Sequence, residues 1–164
     1  MIIKSHFMHN GVNYGVRWED ADSFKHLSYE KCQQIYGVCF FGDKIIVCRK
    51  KPSKSWNLIG GHIEKGELIE NALIREILEE SNMKVLKHVP IGYQEVVSPD
   101  GTSLLQLRSV GLVEPIGPFE EDPAGSVDEI KLINPEEYKN YFDWGKIGDR
   151  IIQRALELKK SGLS

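Results

Sequence analysis

The 164 residues carry 41% hydrophobic and 27% charged side chains, a balance that excludes a disordered tail or a membrane bundle and fits one domain with a single substantial core. A formal net charge of -3 and a pI near 6.0 leave no basic surplus for a phosphate backbone, so a general nucleic-acid binder is excluded, while a small phosphorylated ligand needs only a local cationic site. No apolar run approaches the roughly 20 residues of a membrane span, and MIIKSHFMHN lacks the charged lead, apolar stretch and cleavage site of a signal peptide, so neither a membrane partner nor export is expected.

In chain order, residues 2–18 read as two short strands around Asn10 and Gly11, a strong hairpin signal. The hairpin (within an N-terminal segment 1–30) either extends the main sheet or forms a contact in a homodimer; His6 and His9 are read as exposed strand residues without a metal role. Residues 19–33 form a polar connection with one helical turn. QIYGVCFF and KIIVCRK, apolar on both sides, read as central strands of a hairpin turning at Gly42 and Asp43. The second ends in Arg49, Lys50 and Lys51, which are either solubilising charge or, functionally, cations facing a substrate's phosphates. Cys32, Cys39 and Cys48 are odd in number and lack CxxC spacing; Cys39 and Cys48 sit inside apolar runs as buried free thiols, which fits a cytoplasmic protein.

From Gly60 to Met83 the chain reads GGHIEKGELIENALIREILEESNM. The glycine pair Gly60 and Gly61 frees the backbone for close approach to a ligand, and an amphipathic helix follows. At 100° per residue Ile69, Leu73, Ile74, Ile77 and Leu78 share a core-facing arc. Glu76, Glu79 and Glu80, at i, i+3 and i+4, place three carboxylates in one sector beside it, with Ala72 leaving space one turn before. Three neighbouring anions require a compensating cation, and Mg²⁺ or Mn²⁺ takes oxygen ligands of this kind. Glu67 and Arg75, eight residues apart, project within about 80° of each other, close enough for a salt bridge pinning the loop over the helix start. Beyond the helix, VLKHVPIGYQEVV and SLLQLRSVGLVEPI read as strands joined by Ser98, Pro99, Asp100 and Gly101. Residues 114–127, with Glu120, Glu121 and Asp122, read as a mobile loop. SVDEIKLIN then alternates like a strand, a short helix starts at Asn134 or Pro135, and a last helix runs from Trp144 to Lys160 with Ile147, Ile151, Ile152, Ala155 and Leu158 on one face. Phe7, Tyr14, Trp18, Tyr36 and Phe41 are read as core or sheet-face aromatics.

The pattern Gly61, Glu67, Arg75, Glu76, Ile77, Glu79, Glu80, Asn82, Met83 resembles the Nudix box of the Nudix hydrolases, residues 61–83 here. Asn82 stands where the family has glycine, at the helix's left-handed cap, where Asn is the next best residue. The lead-in WNLIGG is also similar, with Ile59 in place of a common proline. The resemblance implies an α/β/α sandwich (α+β) with a mixed sheet between the box helix and the C-terminal helix, all in one domain over 1–164. It implies metal-dependent hydrolysis of a pyrophosphate bond in a nucleoside diphosphate linked to another moiety, with Glu76, Glu79, Glu80 and the Gly61 carbonyl as metal ligands. Arg75 and Glu67 brace the loop, Glu64 is a brace or outer ligand, and Gly60, Gly61, Arg49 and Lys50 are substrate-side candidates. Glu79, Glu120, Glu121 and Glu129 remain open as the general base. Pro99 lies 16 residues past Met83, and the ADP-ribose branch of the family has a proline at about that distance, although the turn alone accounts for it. Two other readings compete. A regulatory nucleotide-binding module would usually have lost these carboxylates, and an isopentenyl diphosphate isomerase-like enzyme would need a reactive cysteine, whereas Cys39 and Cys48 read as buried.

Overall fold

A computed structural model of the chain describes residues 1–120, 122 and 125–163. Glu121, one of the four carboxylates open as a base, lies outside the described residues. The strands are β1 (Ile2–His9), β2 (Val12–Asp20), β3 (Cys32–Phe41), β4 (Lys44–Lys50), β5 (Trp56–His62), β6 (Met83–Val97), β7 (Ser103–Pro115) and β8 (Val127–Ile133). They form one mixed sheet in the order β1-β2-β6-β7-β3-β5-β4-β8. β3 and β7 run parallel, and the other pairs are antiparallel. Helix α1 (Ile69–Ser81) lies on one face and α2 (Gly145–Lys160) on the other, as expected for the sandwich.

Strand alternation sorts the core into two layers. Ile35, Cys39, Ile46, Cys48, Ile59 and Leu107 pack with Ala72, Leu73 and Ile77 of α1. Val38, Phe40, Val47, Leu58 and Val110 pack with Ile147, Ile151, Ile152 and Ala155 of α2, the face read from the last helix's spacing. All three cysteines are buried and free. At the N-terminus, Asn10 and Gly11 take φ values of 49° and 76°, the left-handed pair a two-residue hairpin requires. The hairpin extends the main sheet, because β2 pairs with β6 from Gly15↔Val97 to Asp20↔Gly92.

Three expectations need correction. The hairpin of β3 and β4 stays closed only at Phe40↔Ile45 and Phe41↔Lys44; farther on, β5 inserts between them. WNLIGGH is this inserted strand, and its backbone completes the hydrogen bonding of two buried strands. The buried side of α1 is also rotated from the expected arc. Leu73 and Ile77 are buried, but Ile74 and Leu78 are 41% and 47% exposed, and Ala72, Glu80 and Ser81 are buried instead. The helix turns its glutamate stripe toward β5. Ala72 therefore leaves no space for a ligand; it is packed against the sheet, where its small side chain permits close approach. The connection before β3 holds a single 3₁₀ turn, Tyr29–Lys31, and the short helix after β8 is also 3₁₀, Pro135–Asn140. Among the described residues no helix is long and apolar enough to cross a membrane.

Candidate active site

Arg75 organises the start of α1. Its Nε and Nη2 donate to Glu67 Oε2 and Oε1 at 2.8 and 3.0 Å, Nη2 also donates to the His62 carbonyl at 3.0 Å, and Nη1 reaches Glu76 Oε1 at 3.0 Å and Glu79 Oε2 at 3.4 Å. Bidentate pairing of a guanidinium with a carboxylate is among the stronger polar contacts. Glu67 also accepts from the Glu64 amide at 3.0 Å, and its carbonyl takes the Tyr29 hydroxyl at 2.7 Å. The bond from Arg75 holds the Glu67 carboxyl below its ordinary pKa. The loop preceding α1 is thus clamped to the helix and to the connection before β3.

The glycine pair lets α1 meet β5. A Cβ built on Gly61 would stand 2.6 Å from Glu76 Oε1, so only glycine leaves room for that carboxylate against the strand. On Gly60 it would meet the Ile35 carbonyl at 2.2 Å and the Tyr36 ring at 2.6 Å. Glu80, 2% exposed, accepts from the Gly60 amide at 2.8 Å and from Lys50 Nζ, which also reaches the Gly60 carbonyl at 3.4 Å. Burial pushes the Glu80 carboxyl up to about 7 despite the opposing charge of Lys50. Burial also raises Glu76, which Arg75 only partly offsets. Buried carboxylates tolerate ionisation when a cation stands beside them.

These oxygens suit a hard divalent cation: the buried carboxylate of Glu80, the half-buried one of Glu76, a third at the rim and carbonyls of a glycine pair. Lys50 already places one positive charge among them. Among the described residues, however, no three acidic, histidine or cysteine side chains converge on one point, because Arg75 draws Glu79 and Glu76 while Lys50 holds Glu80. The donor set fits a metal in its chemistry, and its side chains are held by the protein's own cations.

β4 separates the two basic candidates by alternation. Lys50 faces α1, whereas Arg49 pairs with Asp128 at 2.8 Å and Glu129 at 3.7 Å and lies over Trp56. Glu129, on β8 opposite Arg49, also pairs with Lys131. The structure thus joins Glu129 to Arg49 and brings Glu76, Glu80, Lys50, Gly60 and Gly61 together. Glu120 is exposed past the end of β7, Asp122 is buried with a bond from Ser126, and Pro99 sits exposed in the turn between β6 and β7.

Sequence reasoning missed a cavity of about 520 Å³ on the α2 face, lined among others by Tyr36, Arg108 and Trp144. The signal was present: Gln106 and Arg108 interrupt one face of an otherwise apolar strand.

A NUDIX domain model matches residues 33–155, which is most of the chain. No curated relative matches it in sequence. Among solved structures it is similar to the Bacillus subtilis pyrophosphohydrolase BsRppH in a mutant form, with a TM-score of 0.70 at 16% identity, covering 90% of this chain and 92% of that one. A NUDIX hydrolase from Nitrosomonas europaea superposes with a TM-score of 0.61 at 23% identity over 80% and 90% of the two chains. A C. elegans Ap4A hydrolase does so at 0.53 and 16% identity over 78% and 99%. At these identities the likenesses speak for the fold. The chain belongs to the NUDIX family, the Nudix hydrolases that its box resembles.

Proposed function

We propose that the chain hydrolyses a pyrophosphate bond in a nucleoside diphosphate derivative, with Mg²⁺ or Mn²⁺ held by Glu76, Glu79, Glu80 and the Gly61 carbonyl. The observation that carries this reading is the meeting of Glu76 and Glu80 with the glycine pair and Lys50 at the join of α1 and β5. When bound, the cation neutralises phosphate oxygens and acidifies water. Lys50 is placed to exchange its carboxylate partner for a substrate phosphate oxygen. Glu79 is the least buried of the three glutamates, its side chain one-third exposed, and we assign it the proton of the attacking water. The water oxygen bonds to phosphorus, the anhydride P–O bond breaks, and the proton passes to Glu79.

Titratable thiol chemistry has little support, because burial pushes both Cys39 and Cys48 up to about 12, which disfavours the isomerase-like reading. The retained carboxylates disfavour a purely regulatory module. Three buried thiols fit a cytoplasmic setting. A homodimer would use the outer edge of β1, and sedimentation mass tests it.

Nucleotide and phosphate release from nucleoside triphosphates, ADP-ribose, NADH, dinucleoside polyphosphates and CoA, with Mg²⁺ or Mn²⁺ and with EDTA, tests the reading. Metal-dependent release of a nucleoside monophosphate is the expected result. Binding without turnover on every compound would assign the chain to the regulatory class instead.

A further inference from the structure

Arg108 is 4% exposed, and its Nε has no hydrogen-bond partner among the described residues; Nη1 donates to the Leu107 carbonyl at 3.1 Å. Its guanidinium lies over the rings of Tyr36 and Trp144, at 4.9 and 5.4 Å from their centroids. Those contacts offset part of the cost of burying the charge but leave N–H donors unused. The carboxylate lining the same cavity, Asp143, is engaged by the Gly145 amide and Lys139 instead. A buried cation with an idle donor is costly unless a ligand completes it.

Sheet register shows what that ligand would meet. Arg108 stands in one rung, Gly92–Arg108–Tyr36–Gly60, across β6, β7, β3 and β5. Gly60 is two strand spacings from Arg108, about 10 Å. The neighbouring rung on the same face is Gln94–Gln106–Gln34, whose amides bond in series, Gln106 to Gln34 at 2.8 Å. Each amide has two N–H groups and two lone pairs, so the series retains donors and acceptors at its ends.

We infer that this cavity is the base subsite of the proposed nucleotide hydrolase and that it takes a 6-oxopurine, whose O6 and N7 accept from Arg108; Tyr36, whose ring packs on Gly60, links the cavity to the strand that carries the glycine pair. The inference rests on the proposed function for its substrate class and on Arg108 for the choice of base. Guanine and hypoxanthine present two acceptors along the N7 edge, where adenine presents an N6 donor that would oppose the guanidinium. Tyr36 and Trp144 supply aromatic surface to either purine, so they add affinity without discriminating.

Titration calorimetry of the full chain with GMP, IMP and AMP in Mg²⁺ tests this. GMP and IMP are expected to bind about ten- to a hundredfold tighter than AMP, and Arg108→Met should erase the ratio. Equal affinity of the three in the wild type, no binding of any, or an unchanged ratio in a folded Arg108→Met overturns the inference. Should that variant not fold, the wild-type ratio decides, with Trp144→Leu expected to weaken all three alike. A clear GMP preference without hydrolysis of any nucleotide would refute the proposed reaction and leave the subsite standing; hydrolysis without a base preference would do the reverse.

Discussion

Glu80 is buried beside one cation, and its carboxyl is raised from the ordinary 4.5 to about 7. Because the folded chain binds this proton more tightly than the unfolded chain, the group's contribution to stability is full below pH 4.5 and is lost as pH rises through about 7. Glu80→Gln keeps the shape and removes the titration. In EDTA the melting temperature of the variant minus that of the wild type should therefore rise between pH 4.5 and 8; a flat or falling difference would show that Lys50 fully compensates the charge. Activity separates the glutamates differently. Glu79→Gln and Glu80→Gln should each lower kcat by at least about a hundredfold if both act as proposed. Glu79 is partly solvated, so its variant should melt within a degree or two of the wild type. Near wild-type turnover in either variant would remove that residue from the mechanism.

At the scale of the element, α1 is held at both ends by features outside its own hydrogen bonding. Leu68 caps the N-terminus without a side-chain bond, and the Glu67–Arg75 clamp fixes the preceding loop. At the other end Asn82 takes φ 54° and ψ 42°, its amide closes on Leu78 O at 3.0 Å, and its side chain donates to the Pro118 carbonyl at 3.1 Å. The left-handed cap and the salt bridge were both legible, because each depends on local spacing. What local spacing could not give was the rotation of the helix, since Ile74 and Leu78 are as apolar as Leu73 and only β5 decides which of them is covered. The cap yields a prediction. Asn82→Ala should lose about 1 kcal/mol more stability than Asn82→Gly, because alanine resists the left-handed angles that glycine adopts freely. Denaturant midpoints at equal m-values measure this; the opposite order would mean that the bond to Pro118 outweighs the backbone angle.

Across the whole molecule, periodicity and turn residues made single elements legible, Asn10 and Gly11 setting one hairpin and Ile147, Ile151 and Ala155 marking the buried side of α2, while the sandwich that joins them was implied by the resemblance to the Nudix family. β5 was not legible, because its strand state exists only where β3 and β4 part to receive it. Arg108 was visible as an oddity, but its surroundings required Trp144 to be folded back over β7. The candidate metal site is likewise a property of the assembled fold, since its oxygens come from both α1 and β5. A cation bridging them stabilises the native state alone, by about 2.7 kcal/mol at a hundred times its dissociation constant. For a chain of this size that corresponds to a rise of roughly 5–10 °C, reduced by whatever is needed to separate Lys50 from Glu80. Added Mg²⁺ or Mn²⁺ should therefore raise the melting temperature, EDTA should reverse the shift, and Glu80→Gln should largely abolish it. The shift should also shrink below pH 7, where the raised Glu80 carboxyl holds a proton that the metal must displace. Scanning calorimetry with and without metal at pH 5.5 and 8 reads all of these. A wild-type melting temperature indifferent to millimolar metal at pH 8 would mean that helix and strand do not form a cation site together.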